Sequence, residues 1–180
     1  NAVSTALDGN DIVYSLSGKS SDGAFLQTGT YKCTVQLNGL ELTSLQGAAI
    51  DIANGKRIKM ILADGTENTL SDMAGGTQKA CLYVKGHPEF EGNGTLNVTG
   101  NTSHAIASGE YMYGKSGNIN VFASANDGIH AGQYFKIKSG SVVIRNAKGD
   151  GIQADITKNA TDEFNGQMII NGGKIDISSN

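Results

Sequence analysis

The sequence predicts an all-β protein, a single domain folded as a parallel β-helix with coils of about 23 residues. Ile106, Ile129 and Ile152 recur at one constant interval, each within a similar short segment. Apolar and polar residues alternate at period two, as in 95–98, which is typical of strands and not of helices. Short strands in such a repeat bury their apolar faces only if successive coils stack in parallel, and this stacking is what defines a β-helix.

The first strand of each repeat carries the recurring isoleucine. Looser copies lie upstream around Ile50 and Leu82. The step from Leu82 to Ile106 is close to the regular interval, whereas the step from Ile50 to Leu82 is clearly longer. The segments that align without gaps are 103–108, 126–131 and 149–154. The repeat therefore covers most of the chain.

The second strand opens with a glycine in each repeat. The glycines are Gly94, Gly117, Gly140 and Gly173, of which the first three keep the regular interval and the last follows a longer step. The long steps predict insertions of about ten residues near 66–77 and 157–165, both polar and therefore expected as surface loops. Because an open solenoid end invites pairing with another chain, we expect residues 1–30 to form an N-terminal cap and the first coil of a single domain over 1–180.

The predicted interior consists of two columns of aliphatic residues, one for each strand type. A leucine-rich repeat has a similar period, but the position of Asn101 becomes Ser124 and Ala147 in the next coils and no unit contains a helical segment, so the β-helix is favoured. The first column holds Ile50, Leu82, Ile106, Ile129 and Ile152, and the second holds Leu96, Ile119, Val142 and Ile175.

Composition excludes several classes of partner. The chain has 14 Lys and Arg against 17 Asp and Glu, a formal charge of −3, and 25 of its 180 residues are glycine. This balance gives no electrostatic basis for binding nucleic acid or anionic lipid. Its apolar runs are far shorter than the roughly 20 residues of a membrane-spanning helix. We expect no nucleic-acid partner, no membrane-spanning segment and a monomer.

Two cysteines, Cys33 and Cys81, match no zinc-binding pattern. Their sequence context favours buried free thiols, and one disulfide between an early and a later coil is the alternative. The first residue is Asn1, so we expect that the numbering starts after processing or trimming, which is compatible with export.

Two aspartates lie one coil apart at the start of neighbouring strands. Asp127 and Asp150 each precede a glycine and an isoleucine of the repeat. Like charges this close need a neutralising partner, and calcium, which takes six to eight oxygens, is one candidate, with Asn126 and Asp155 as further ligands. The other interpretation is a pair of turns in which each Asp binds a nearby amide. His104 occupies the same column one coil earlier, and we expect it to be solvated or hydrogen-bonded.

A polar outward column flanks the isoleucines and is the candidate sugar-binding surface. His130 and Gln153 belong to this column. Tyr134 lies between strands, where its ring could stack on a sugar or pack a corner, and Lys148 could meet a uronate carboxylate. A solvated sheet face is the alternative interpretation of the same residues. No catalytic nucleophile motif is present in the sequence.

The motifs together resemble a known bacterial family of calcium-containing carbohydrate-binding β-helix domains, formerly filed as a domain of unknown function. The resemblance rests on the segments 38–44, 47–50 and 62–70 followed by the Asp-Gly-Ile strands, and it extends from about Tyr14 to Ser178. It implies a right-handed parallel β-helix, bound calcium, a secreted or surface-attached protein and affinity for cellulose or acidic pectic chains. It also implies kinship to family 9 polysaccharide lyases. Asp127 and Asp150 match the family's calcium-ligand motif, and Ser103-His104 departs from the usual pattern.

The leading hypothesis is a noncatalytic carbohydrate-binding module for an extended, plant-type, acidic polysaccharide, with structural calcium as cofactor. A calcium-dependent pectate or polygalacturonate lyase is the alternative from another class, since elimination needs a base and a cation, and Lys148 is the only base that we nominate. A structural or adhesive surface β-helix is the third hypothesis.

Overall fold

The computed structural model describes residues 12–178, which contain eighteen strands and no helix. There is accordingly no helix in this part of the chain with the length and apolar character needed to cross a membrane. In chain order the strands are β1 (Val13–Ser20), β2 (Phe25–Gln27), β3 (Cys33–Ser44), β4 (Ile50–Ile52), β5 (Arg57–Leu62), β6 (Glu67–Asp72), β7 (Ala80–Val84), β8 (His87–Gly92), β9 (Thr95–Gly100), β10 (His104–Ser108), β11 (Met112–Gly114), β12 (Asn118–Ser124), β13 (Ile129–Ala131), β14 (Phe135–Ile137), β15 (Ser141–Arg145), β16 (Ile152–Ala154), β17 (Met168–Ile170) and β18 (Lys174–Ser178).

The strands form a parallel β-solenoid with three faces. Face 1 is a six-stranded sheet in the order β16-β13-β10-β7-β4-β2. The long strand β3 joins the other two faces, because its first half pairs with β5 and its second half with β6. Face 2 continues from β5 through β8, β11 and β14 to β17, and face 3 continues from β6 through β9, β12 and β15 to β18. Each full coil therefore contributes one strand to each face.

Strand register confirms the predicted fold class and the predicted repeat. On face 1, paired positions run from Phe25 through Ile50, Leu82, Ile106 and Ile129 to Ile152. The last two steps along this column are equal, and every earlier step is longer. The step from Ile50 to Leu82 is much longer than the others, as expected for a coil that carries an insertion. Every strand pair is parallel, as stacking of equivalent strands requires.

The core lies between the three faces and consists of the predicted columns. Ile106 and Ile129 are fully buried, and so is Leu96 on face 3. Ile152 and Ile175 are only partly buried, because they belong to the last coil and have a stacking partner on one side. Burial of each aliphatic side chain contributes about 1.5–3 kcal/mol to folding.

The sequence predicts two strands per coil, and the structure has three. The strands of face 2 occupy the segments that were predicted to lie between strands. Three of them, β11, β14 and β17, are very short, and such a run shows no clear period-two pattern. The inward residues of β11 and β14, which include Met112, Phe135 and Ile137, are buried in the core, whereas those of β17 are exposed.

The segment 66–77, predicted as a surface insertion, contains strand β6, so only its last part is a loop. Polar residues of β6 are buried here, which is why its sequence resembles a loop. Asn68 is fully buried, accepts the N–H groups of Gly39 and Leu40 at 3.0 Å each, and donates to the carbonyl of Thr95 at 3.1 Å. One asparagine thus links three successive coils.

The segment 157–165 lies in a strand-free connection between β16 and β17. The predicted cap over residues 1–30 falls in part on residues 1–11, which are outside the described residues. From Val13 onward the chain forms β1, which pairs with β3, and β2, which pairs with β4.

Both cysteines are free and buried, as the first of the two interpretations expects. Cys33 is 4% exposed and Cys81 is fully buried. Burial raises the pKa of Cys33 to about 11, so its neutral thiol form persists at physiological pH.

Candidate functional site

Face 1 carries a groove that runs parallel to the solenoid axis. Its outward column is Asp51, Tyr83, Ala107, His130 and Gln153, paired coil to coil in that order. With about 4.8 Å between neighbouring strands, this column spans about 19 Å. The groove consists of two adjoining depressions of about 380 and 440 Å³ that share Lys79 and Tyr83 in their linings.

The small side chain of Ala107 in the middle of the column creates the depth of the groove. Ala107 lies between Tyr83 and His130, so the side chains above and below it rise over a methyl group. Lys79 stands beside Tyr83, with its Nζ 5.3 Å from the ring centroid, which is within cation–π distance. The centre of the groove therefore offers one aromatic ring and one cation.

Unpartnered polar atoms concentrate along this groove. Among the residues that the structure describes, buried side-chain atoms without a protein hydrogen-bond partner include Asp51 Oδ1, Gln78 Oε1 and His104 Nδ1, and all three residues line the groove. Gln78 is held in place from its other end, since its Nε2 donates to Asp72 Oδ2 at 2.7 Å and to Thr102 Oγ1 at 2.9 Å. Burial raises the pKa of Asp51. Buried polar groups normally have partners, so these atoms suit a ligand that carries hydrogen-bond donors.

A cluster of two histidines and an aspartate forms the wall of the larger depression. Asp127 Oδ2 lies 3.1 Å from His104 Nδ1 and 3.0 Å from His130 Nδ1, and the two imidazole rings are 4.4 Å apart. The Asp127 side chain is only 4% exposed. Burial, together with the neighbouring His130, lowers the pKa of His104, so the imidazole tends toward its neutral form.

Two further contacts fix this cluster. Asp127 Oδ1 accepts the main-chain N–H of Asp150 at 2.9 Å, which ties it to the next coil. His130 Nε2 lies 3.0 Å from Asp155 Oδ2, on the other side of the imidazole from Asp127. The ring of His130 is thus held between two carboxylates.

The four residues predicted as calcium ligands do not converge into a shell of oxygens. Asp127 is buried among nitrogen groups, whereas Asp150 and Asn126 are exposed and Asp155 is separated from Asp127 by the ring of His130. Asp150 meets Asp127 through its main-chain N–H, in a bond between two coils and not within one turn. Calcium requires six to eight oxygen ligands, so the donor set around Asp127 does not fit it.

The predicted sugar-contacting residues lie in three different places. His130 lines the groove and Gln153 belongs to the same column, where its Nε2 donates to Asp155 Oδ1 at 2.8 Å. Lys148 is exposed in the connection between β15 and β16 and lines neither depression. Tyr134 precedes β14 on face 2, away from the groove.

Tyr134 belongs to an aromatic ladder along one edge of face 2. Its ring stacks on Tyr111 at 4.7 Å and meets Phe164 edge-on at 5.5 Å, and Tyr111 stacks in turn on His87 at 4.4 Å. The rings cover one another, so the ladder packs successive coils together and leaves little ring surface for a sugar.

The sequence contained a signal for the cluster that the predicted ligand set missed. His104 and Asp127 are separated by one regular interval of the repeat, which places them in the same column of neighbouring coils. His130 follows closely after Asp127 and reaches the same carboxylate oxygen because the chain turns at Gly128 before β13. The turn geometry, which spacing alone does not give, brings the third residue in.

Comparison with known proteins gives matches over most of the chain. The sequence model of a family described as carbohydrate-binding domain-containing protein matches residues 2–180. A carbohydrate-binding domain-containing protein of Acetivibrio thermocellus is 29% identical over 106 residues, covering 53% of this chain. The match spans 37% of the length of that relative.

A solved structure has a similar fold. It is described as the polysaccharide lyase-like protein from C. thermocellum, in a gadolinium derivative. The two structures align with a TM-score of 0.83 at 28% sequence identity, over 93% of this chain and 70% of the other.

Proposed function

Because the chain belongs to the family of carbohydrate-binding domain-containing proteins and so has a carbohydrate-binding role, we propose that it binds an extended polysaccharide in the groove of face 1. The polymer lies parallel to the solenoid axis. A linear chain of sugars fits this direction because the groove is continuous past Lys79 and Tyr83 over several coils.

The unpartnered polar atoms of the groove are the observation that carries this proposal. Asp51 Oδ1 and Gln78 Oε1 are acceptors, and His104 Nδ1 accepts when it is unprotonated. Sugar hydroxyls are donors that can satisfy these atoms once small side-chain rotations open them to the groove. The ring of Tyr83 adds an apolar surface for the carbon face of a sugar.

The finer proposal concerns the charge of the polymer. Lys79 lines both depressions and is suited to a uronate carboxylate, whereas Asp51 and Asp155 at the two ends of the groove repel one. We therefore propose that an acidic chain binds with a divalent cation present, and that calcium, which prefers carboxylate oxygens, is that cation. Asp51 and Asp155 lie at opposite ends of the groove, so each would supply protein oxygens to a separate cation. A secreted or surface-attached monomer is the corresponding proposal for location and assembly.

The lyase alternative rests on Lys148 as base, and this lysine lies outside the groove. Elimination needs a base beside the bound sugar. We therefore propose a noncatalytic module. The test incubates the protein with polygalacturonate and calcium and measures the absorbance of unsaturated uronide. Formation of this product would overturn the noncatalytic part of the proposal.

The experiment compares two tyrosines on different faces. Tyr83→Ala is expected to weaken binding of the preferred polysaccharide about tenfold, the loss typical of an important contact residue. Tyr113→Ala, on face 2 beside Lys136, is the matched control and is expected to leave binding unchanged. Affinity gel electrophoresis against polygalacturonate and a soluble cellulose derivative, each with calcium and with EDTA, measures both variants.

Three results contradict the proposal at different levels. Equal losses in both variants place the binding surface elsewhere. Polygalacturonate binding that EDTA does not change removes the calcium part. Absence of retardation by any polymer of a broad glycan panel favours the structural or adhesive alternative.

A further inference from the structure

We propose that His104, Asp127 and His130 form a binding site for a first-row transition-metal ion, Zn²⁺ in particular, in the wall of the groove. The site shares Asp127 with the calcium site expected from the sequence, but its other two ligands are imidazole nitrogens. The inference goes beyond the proposed carbohydrate function and does not depend on it. In the zinc-bound chain His104 Nδ1 is a metal ligand, and Asp51 and Gln78 are the acceptors that remain for sugar hydroxyls.

The three side chains already have the spacing of metal ligands. One ligand atom from each residue lies within 4.8 Å of the others. In a tetrahedral zinc site whose ligands lie about 2.1 Å from the ion, neighbouring ligand atoms are ~3.4 Å apart. Asp127 Oδ2 lies 3.1 Å from His104 Nδ1 and 3.0 Å from His130 Nδ1, which is close to that separation. Small side-chain rotations therefore suffice to admit an ion.

An ordinary hydrogen-bonded cluster does not account for His104. Its Nδ1 is close to Asp127 Oδ2 but makes no hydrogen bond with suitable geometry, and it is buried. A buried nitrogen without a partner is unfavourable unless something occupies the space beside it. A metal ion between His104, His130 and Asp127 satisfies this nitrogen and neutralises the buried carboxylate.

The surroundings support the ligands in the way that metal sites require. His130 Nε2 faces Asp155 Oδ2 at 3.0 Å, so the proton of a neutral ring can lie on Nε2 and leave Nδ1 free to bind the ion. Carboxylates in this position orient metal-binding histidines in many proteins. Asp127 is held by the Asp150 N–H, which leaves its Oδ2 pointing at the two imidazoles.

The ligand types select the class of ion. Two imidazole nitrogens and one carboxylate oxygen suit Zn²⁺, Ni²⁺ or Cu²⁺, whereas Ca²⁺ prefers oxygen alone. Three protein ligands also leave one position of a tetrahedral ion free. Because His104 and His130 line the larger depression, that position is accessible to water or to a ligand in the groove.

Metal binding is measured on the full chain, free of any affinity tag and stripped of metals with a chelator that is then removed. Titration calorimetry with Zn²⁺, in a large excess of Ca²⁺, is expected to show one ion bound per chain. Co²⁺ is expected to give the intense visible absorption of a four-coordinate ion. The imidazole NMR signals of His104 and His130 in the wild-type chain are expected to shift on adding Zn²⁺, while those of His87 stay in place.

Variants assign the site to its residues. Asp155 orients a ligand without binding the ion, and Asp155→Asn is expected to lower Zn²⁺ affinity roughly 10–100-fold. His104→Gln and His130→Gln each remove a ligand and are expected to lower it by more than that. His87→Gln is the matched control, because His87 lies on face 2 beside Glu110. The NMR measurement needs no variant, so it decides the assignment even where a substitution impairs folding.

The proposal fails if the wild-type chain binds no stoichiometric Zn²⁺, if Ca²⁺ displaces it, or if His87→Gln loses as much affinity as His104→Gln. Polysaccharide retardation of the zinc-free chain is recorded separately. Loss of the metal site with retained retardation would therefore refute this inference and leave the proposed function standing.

Discussion

Glu89 is a buried carboxylate on face 2, and its charge is satisfied by two side chains of the next coil. Lys115 lies 2.7 Å from Glu89 Oε2, and the Tyr111 hydroxyl donates to Glu89 Oε1 at 3.0 Å. Burial acts to raise the pKa of Glu89, but the hydrogen bonds from Lys115 and Tyr111 outweigh it, so the pKa lies below its usual range. The ionised carboxylate therefore stabilises the fold.

Replacement of this carboxylate is expected to change stability in a pH-dependent way. Because the pKa of Glu89 is lower in the folded than in the unfolded protein, its ionised form stabilises the fold at pH values above the unfolded-state pKa of about 4.3. This stabilisation is lost as the pH falls through the lower folded-state pKa. Glu89→Gln should cost about 1.5–3 kcal/mol at neutral pH, the range for hydrogen bonds to charged groups. The difference from wild type should shrink below pH ~4, measured by urea unfolding across the pH range.

The control for this change is an exposed ion pair. Glu41 contacts Lys19 at 2.6 Å, with 54% of its side chain exposed, and Glu41→Gln should cost less than about 1 kcal/mol. A Glu89→Gln penalty that does not vary with pH would show that lost packing, and not charge, is responsible.

Residue spacing in the sequence was sufficient to predict some contacts and not others. The repeat period placed His104 and Asp127 in one column, and their contact follows from stacking. The position of Asp155 across the ring of His130 depends on how the chain leaves β16, which no spacing specifies. Spacing thus indicated the contact between His104 and Asp127, whereas the contact between His130 and Asp155 follows only from the fold.

At the level of elements, a column of glycines forms the corner before the face 3 strands β9, β12, β15 and β18. Main-chain bonds join these corners coil to coil: Asn118 N–H donates to Gly94 O, and Ser141 N–H donates to Gly117 O, both at 3.0 Å. Gly140 has φ of +82°, in the left-handed region, and a Cβ added to it would lie 2.0 Å from the carbonyl oxygen of Gly117. A side chain at this corner would separate the coils.

Gly140→Ala is therefore expected to destabilise the protein by at least about 2 kcal/mol, because strain in φ and the backbone contact add. Gly55→Ala is the control, since a Cβ there meets nothing within 4 Å and its φ lies outside the left-handed region. That variant should unfold within about 1 kcal/mol of wild type. Thermal unfolding of both variants measures the difference, and equal midpoints would contradict the role assigned to this corner.

The strands were predictable where they carry the recurring isoleucine or open with a glycine of the repeat. Face 3 strands such as β9 alternate over their whole length and were recognised. Face 2 strands such as β11 have only three residues, which is too few for a period-two pattern to be recognised. Their conformation is set by pairing with the coils above and below.

At the scale of the whole molecule, the solenoid makes each coil depend on its neighbours. Ile106 stacks between Leu82 and Ile129, whereas Ile152, in the last described coil, stacks only on Ile129. Stability of such an array is approximately a sum of coil terms and nearest-neighbour interfaces. Central and terminal positions of one column should therefore contribute differently.

Ile106→Ala is expected to cost about 2–5 kcal/mol, as for a fully buried aliphatic side chain, and Ile152→Ala less than half of that loss. Urea unfolding compares the two variants, and native-state hydrogen exchange of the wild type should show faster exchange in β16 than in β10. Equal losses for the two substitutions would mean that the end of the array is packed as tightly as its centre.

The resemblance drawn from the sequence is confirmed for the carbohydrate-binding family and the parallel β-helix. Its calcium and pectate parts remain predictions. A groove about 19 Å long, at about 4.8 Å per coil, exists only because five coils stack in register, so the polymer-sized surface is a property of the whole array.

The sequence by itself determined the period, the two aliphatic columns and the all-β class, because each of these depends on spacing along one chain. The tertiary structure alone decided that face 2 is a sheet and that the groove contains unpartnered polar atoms. It also decided that His104, Asp127 and His130 converge while Asp150 points to solvent. The physical reason is that side-chain direction at the turns is set by main-chain hydrogen bonds between coils, which a repeat pattern does not encode.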